Sequence, residues 1–271
     1  WLRVFEIPEG SKTSKGRAIQ NLINIEQDDK VMAFICTQDL KDEEYINSHY
    51  VIMATKKGQV KKTSLEQYSR PRSNGINAIT INDGDVLLEA KLTTGQSQVV
   101  LAVKSGKAIR FEENKTRPMG RNASGVRGIR LANDADEVIG MVSVNDMDSD
   151  ILVVSENGYG KRSKLEDYRM TNRGGKGVKT ISITDKTGSL VSIKNVSDTD
   201  DLMIINRSGI AIRMEVESLR VMGRATQGVR LINLRDDDTI AAVAKVLKDD
   251  EDIEDVEDIE INMTSEPESE S

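Results

Sequence analysis

Short apolar runs punctuate the chain at a regular interval: Val51 to Thr55, Val99 to Val103, Ile151 to Val154 and Leu202 to Ile205. Each leads into a glycine turn, Lys57-Gly58, Ser105-Gly106, Asn157-Gly158 and Ser208-Gly209, and these glycines stand 48, 52 and 51 residues apart. Asn-Gly favours a hairpin because both residues accept positive φ, and the other three turns keep Gly in the same place. Four residues beyond each turn glycine stands a cation: Lys62, Arg110, Arg162 or Arg213.

A second half completes each unit: a polar basic loop, a glycine, an alternating segment, an acidic turn and a last apolar strand. The loop glycines are Gly16, Gly75, Gly125, Gly177 and Gly228. Apolar residues follow at the fourth and sixth positions, as Ile79/Ile81, Ile129/Leu131, Ile181/Ile183 and Ile232/Leu234, with Gln20 breaking the pattern in the first copy. Period-two alternation predicts a strand with one face on a core. Acidic turns then precede predicted strands at Val31 to Ile35, Val86 to Leu88, Val138 to Val142, Leu190 to Ile193 and Ile240 to Val246. The apolar runs are too short and too β-branched for helical repeats. Four strands per unit of about fifty residues predicts an all-β, propeller-like array of four-stranded blades. The expected division is a partial first blade over 1–50, blades over 51–98, 99–150, 151–201 and 202–248, and a disordered acidic tail over 249–271. Because the chain opens inside a unit, further sequence upstream and a larger ring are expected.

Composition sharpens this picture. Aromatic residues are 3% of the chain, so the core is aliphatic. One cysteine, Cys36, excludes a disulfide framework and suits a reducing cytoplasm; beside Phe34 and Ile35 it is expected in the core. No run approaches a membrane span. The net charge of -7 averages two unlike regions. Residues 249–271 carry 12 acidic and no basic side chains, so the preceding 248 residues hold all 38 basic against 33 acidic ones and stand at +5. A tail of that charge is expected to compete with nucleic acid for the body's cations.

The connecting loops are basic at matched places. Four residues before the loop glycine stand Lys12, Arg121, Arg173 and Arg224; two residues after it stand Arg127, Lys179 and Arg230. In the second copy Arg70 and Arg72 straddle the first offset, and Lys15, Arg17 and Lys176 add further charge beside the loop glycines. Cations separated by Gly and Ser suit a phosphate backbone, since side chains supply charge and main-chain N–H groups can approach anionic oxygens. These twelve residues are the expected DNA contacts. Nothing catalytic competes with them. Gly120 to Gly125 has the glycine spacing of a phosphate loop, but Val126 stands where Lys is required. One histidine, His49, in the polar stretch from Lys41 expected to be a loop, and one cysteine make no metal set. The carboxylates form no facing acid/base pair. Tyr68 and Tyr168 occupy equivalent places and are expected to pack beneath the loops.

Four segments carry a family resemblance: Asn21-Leu-Ile-Asn-Ile-Glu-Gln-Asp-Asp29, Met119-Gly-Arg-Asn-Ala-Ser-Gly-Val-Arg-Gly-Ile-Arg-Leu131, Asn157-Gly-Tyr-Gly-Lys-Arg162 and Val221-Met-Gly-Arg-Ala-Thr-Gln-Gly-Val-Arg230. They resemble the C-terminal domain of DNA gyrase A, part of a bacterial type IIA topoisomerase. The resemblance implies a six-bladed β-pinwheel, here about five blades, whose basic rim wraps duplex DNA with positive handedness so that the holoenzyme introduces negative supercoils. It implies a non-catalytic module with no cofactor of its own, ATP and Mg2+ being used elsewhere in the holoenzyme. It also implies the rest of gyrase A, together with gyrase B, as partners in an A2B2 assembly in the cytoplasm, without membrane or small-molecule substrate. The family's hallmark, Gln-Arg-Arg-Gly-Gly-Lys-Gly, is not in the chain and is expected upstream of Trp1; Asn172-Arg-Gly-Gly-Lys-Gly177 is a partial echo. The alternatives are the related C-terminal domain of topoisomerase IV and a propeller-like protein-interaction platform.

Overall fold

The computed structural model describes residues 1–10, 17–23, 25–26, 29–70, 72, 74–235 and 238–247. The first elements after residue 40 are a helix α1 (Glu43–Ser48) and strands β1 (Tyr50–Thr55) and β2 (Gln59–Ser64). Then come β3 (Leu87–Thr93), β4 (Gln98–Val103), β5 (Lys107–Glu112), β6 (Val126–Arg127), β7 (Val138–Val144), β8 (Asp150–Ser155) and β9 (Tyr159–Lys164). The series ends with β10 (Val178–Lys179), β11 (Leu190–Val196), β12 (Asp200–Asn206), β13 (Ala211–Glu215), β14 (Val229–Arg230) and β15 (Ile240–Leu247). Three sheets have four strands, in the orders β3-β1-β2-β6, β10-β5-β4-β7 and β11-β8-β9-β14, and a fourth has three described strands, β13-β12-β15.

The chain divides into two compact units. One holds Trp1–Val103, Lys107–Asn145 and Arg169–Val178; the other holds Lys104–Gly106, Asp146–Tyr168 and Lys179–Ser271. Each has an aliphatic core. In the first, Ile52, Val60, Leu101, Ile109 and Ile129 come together fully buried. In the second, Leu152, Val154, Leu202, Ile204 and Val216 do the same. At about 1.5–3 kcal/mol for each such side chain, these cores outweigh the individual loop hydrogen bonds, worth about 1 kcal/mol each. Packing therefore holds the sheets, and the loop bonds set register.

All four predicted hairpins are present, and in those four units the next long strand follows the acidic turn. The fourth strand differs from the expectation. It is two residues long and lies directly after the loop glycine, at Val126–Arg127, Val178–Lys179 and Val229–Arg230, and it joins the sheet of the preceding repeat. The alternating segments beyond it join no ladder and bend at Ile129, Ile181 and Ile232, although these three side chains are buried as the alternation requires. Their backbone is engaged elsewhere: the N–H groups of Gly128, Thr180 and Leu231 donate to the turn carbonyls of Gly58, Gly106 and Gly158 at 2.8, 2.9 and 2.8 Å.

Near the start, Val31 to Ile35 pairs with no strand among the described residues. Inward and outward positions still alternate there, and Cys36 falls on the outward phase, so it is exposed rather than in the core. The polar stretch from Lys41 contains α1, because the Asp42 side chain accepts from the N–H groups of Glu44 and Tyr45 and caps it; His49 follows as its C-cap. The tail from Asp249 lies outside the described residues.

Candidate nucleic-acid interface

Each basic loop is built on the second strand of the preceding hairpin. The loop enters through a parallel bridge to that strand's cation: Lys62 to Pro118, Arg110 to Met170 and Arg162 to Val221. It leaves through the two-residue strand, where Val60 pairs with Val126 and Gly160 with Val229. The ends of an eight-residue excursion thus rest on strand positions two residues apart, about 7 Å. The residues between must project from the sheet.

Glycine makes the pinch possible. Gly125, Gly177 and Gly228 have φ of +95°, +71° and +83°, and a Cβ on any of them would stand 2.5 Å from a main-chain oxygen, that of Val60, Ala108 or Gly160. Side chains are excluded on both counts.

Consecutive loops are tied by two repeated bonds. The N–H of the fifth residue after one loop glycine donates to the carbonyl two residues before the next: Thr80 to Ala123, Arg130 to Gly175 and Ser182 to Thr226, at 3.3, 2.8 and 3.1 Å. The arginine four residues before each glycine also reaches back. Arg121 Nη1 donates to the Asn77 carbonyl at 3.1 Å, Arg173 Nη1 to that of Arg127 at 3.1 Å, and Arg224 Nη1 to that of Lys179 at 2.8 Å. Arg173 Nε and Arg224 Nε donate to Lys115 and Asp167 carbonyls at 3.0 and 3.1 Å. These guanidinium groups, half-buried, fix the backbone beneath the next row of cations.

That next row points outward. Arg127, Lys179 and Arg230 are exposed, as are Lys176, Arg70, Arg72 and Arg17. Arg230 lies over the Tyr159 ring, its guanidinium carbon 5.3 Å from the centroid, and donates to the tyrosine hydroxyl at 3.0 Å. Arg72 and Arg121 share an open polar depression of about 540 Å³ with Asn74, Asn77 and Asn122. Lys12 and Lys15 lie outside the described residues. Among the twelve expected contacts, the structure thus separates a clamped row from an outward one.

A third row escaped the sequence reading. Arg117, Arg169 and Arg220 are exposed, each eight residues before its loop glycine and immediately before the parallel bridge. The same offset count would have found it. Conversely, the cations four residues past the turn glycines are structural. Lys62 faces Glu113 at 3.7 Å with both side chains buried, Arg213 pairs with Asp201 at 2.7 Å, and Arg162 engages Asp150 and Asp198. Arg110 Nε donates to Gln98 Oε1 at 2.6 Å. Tyr68 and Tyr168 are buried beneath the loops as expected: Tyr68 donates to the Ala78 carbonyl at 3.2 Å, and Tyr168, 2.5 Å from Thr180 Oγ1, has its phenol pushed up to about 12, chiefly by burial.

The family model described as DNA gyrase C-terminal domain, beta-propeller, matches residues 1–38, 49–94, 98–145, 149–197 and 200–247. The chain belongs to the DNA gyrase C-terminal domain family. It is 43% identical over 250 residues, 92% of its length, to the DNA gyrase A protein of Staphylococcus aureus strain NCTC 8325, and it spans 28% of that relative. Among solved structures, a DNA gyrase A C-terminal domain superposes with a TM-score of 0.75 at 25% identity, covering 86% of this chain and 76% of that one. The C-terminal domain of DNA topoisomerase IV superposes at 0.79 with 22% identity over 91% and 75%, a likeness of fold. Membership of the gyrase family accounts for the five repeats, and the all-β propeller-type array is the fold expected from the sequence. Among the described residues no helix is long and apolar enough to cross a membrane, and no cluster of three or more His, Cys, Asp or Glu side chains could hold a metal.

Proposed function

We propose that this chain binds and wraps duplex DNA as part of a gyrase A protein, bending it with positive handedness across successive basic loops. The observation that carries this reading is the threefold recurrence of one loop geometry. A glycine-locked pinch on a β-hairpin presents exposed Arg117, Arg169 or Arg220 at its entrance and Arg127, Lys179 or Arg230 at its exit. Phosphate contacts position a duplex without reading its sequence, and a repeated surface is what a bend requires. Curving 20–30 bp by 40–90° costs on the order of 1–6 kcal/mol, more than one exposed loop can supply and within reach of several.

In this reading the chain performs no chemistry and needs no cofactor. Cleavage, ATP hydrolysis and passage of one duplex through another belong to the rest of gyrase A and to gyrase B in an A2B2 holoenzyme working in the cytoplasm. The 43% identity falls on the gyrase side of the type IIA enzymes, which favours gyrase over topoisomerase IV. Binding of a duplex of about 30 bp, followed by fluorescence anisotropy over a salt series, tests the proposal. The logarithm of affinity falls with the logarithm of salt at about -0.9 per phosphate neutralised; salt-insensitive binding contradicts phosphate recognition.

A further inference from the structure

Between the two strand residues that grip each loop lies one more, and its side chain fills the pinch. In β2 this is Lys61, flanked by Val60 and Lys62 and wholly buried; its Nζ donates to the Ala78 carbonyl at 2.5 Å and to the Arg121 carbonyl within the loop. In β9 it is Lys161, also buried, between Gly160 and Arg162. Its Nζ donates to the Gly223 carbonyl at 2.5 Å and to Thr226 Oγ1 at 3.1 Å. The same place in β5 holds Ile109, whose Cδ1 would be 3.4 Å from a Cβ on Gly175, and in β13 it holds Ile212. An apolar side chain is therefore enough to fill the pinch. What lysine adds is a charge under the loop.

We infer that Lys61 and Lys161 are positioning residues for two phosphate-facing loops, and that their protonation is coupled to binding of nucleic-acid phosphate. The inference rests on the phosphate-binding reading above. A buried ammonium is held only by the dipoles it meets, and a like charge nearby opposes it. Burial first and then Arg121 lower Lys61 to about 8. Burial lowers Lys161 to about 8 as well, with Asp167 opposing and Arg224 adding. Burial raises the phenols of Tyr68 and Tyr168, which pack beneath the same loops. Lys62 and Arg162, next in the strands, are matched by Glu113, Asp150 and Asp198. A phosphate drawn to Arg121 or Arg224 cancels the repulsion on the lysine below, which then takes up a proton. Affinity must fall as pH rises through the range in which the free chain's lysines lose theirs.

The test is calorimetric titration of the full chain with a duplex of about 30 bp at about pH 8, in two buffers of different ionisation enthalpy. Anisotropy titrations from about pH 7 to about pH 9.5 accompany it at constant ionic strength. The Lys61→Ile/Lys161→Ile double variant, which copies Ile109 and Ile212, is the comparison. The wild-type heat should depend on the buffer as proton uptake requires, and affinity should fall roughly tenfold across the range if each lysine rises by about half a unit on binding. The double variant should bind more weakly near pH 7 and show a flatter profile. DNA binding with no buffer dependence in the wild-type chain, or a variant that keeps the wild-type slope, overturns the lysine inference and leaves the wrapping proposal standing. Absence of DNA binding at every pH overturns both.

Discussion

Arg173 donates through Nε to one carbonyl and through Nη1 to another, and Arg224 repeats the arrangement. A planar, rigid fork holds both bonds in one fixed geometry, which a flexible ammonium does not reproduce. Replacing either arginine with Ala should cost about 1–2 kcal/mol of stability in urea denaturation as well as DNA affinity, and Lys should restore the charge without restoring the stability. By contrast, Arg127→Ala or Lys179→Ala should leave stability nearly unchanged, weaken binding and lower the salt slope by about one. Lys61 and Lys161 carry a stability signature too. Their folded value of about 8 lies below 10.5, so the unfolded chain holds more protons between the two. Stability relative to the double isoleucine variant should therefore rise with pH across that window, and denaturation at about pH 7 and about pH 10 reads the difference. At this scale the sequence exposed the charge rows through their offsets from the loop glycine. The carbonyl clamp on Arg173 was hidden, because its acceptors lie 46 and 58 residues away.

Strand positions were legible because period-two patterning and glycine turns are local properties. The exchange of β6, β10 and β14 into the preceding sheet was not, since two residues carry no periodicity and their pairing is set by the loop glycine before them. Ile129 illustrates the difference: alternation put its side chain in the core correctly, while its main chain meets a turn glycine rather than a ladder. Gly177→Ala should therefore act on the element as a whole. The positive φ alone costs about 1–2 kcal/mol, and the added methyl meets the Ala108 oxygen. Hydrogen exchange should show faster exchange in Val178, Lys179 and the facing edge of β5, with the β4–β5 hairpin still protected. Uniform protection would mean that the loop is not pinned where the structure puts it.

Over the whole molecule, charge is sorted rather than balanced. The body stands at +5, and the last 23 residues carry 12 acidic side chains. Deleting 249–271 should tighten DNA binding at low salt and have little effect at high salt, where the Debye length is short; equal affinity at low salt would dismiss the tail as a competitor. Inside the body, Lys62 and Arg162 are spent on buried carboxylates, while three loops face cations outward at matched offsets. That distribution suits the wrapping of a duplex, and not merely its binding. The most direct test of wrapping is to close a nicked circular DNA with ligase in the presence of the chain and measure linking number after the protein is removed. A positive wrap traps positive linking difference that grows with the ratio of protein to DNA; an unchanged or negative linking number would rule out a positive wrap.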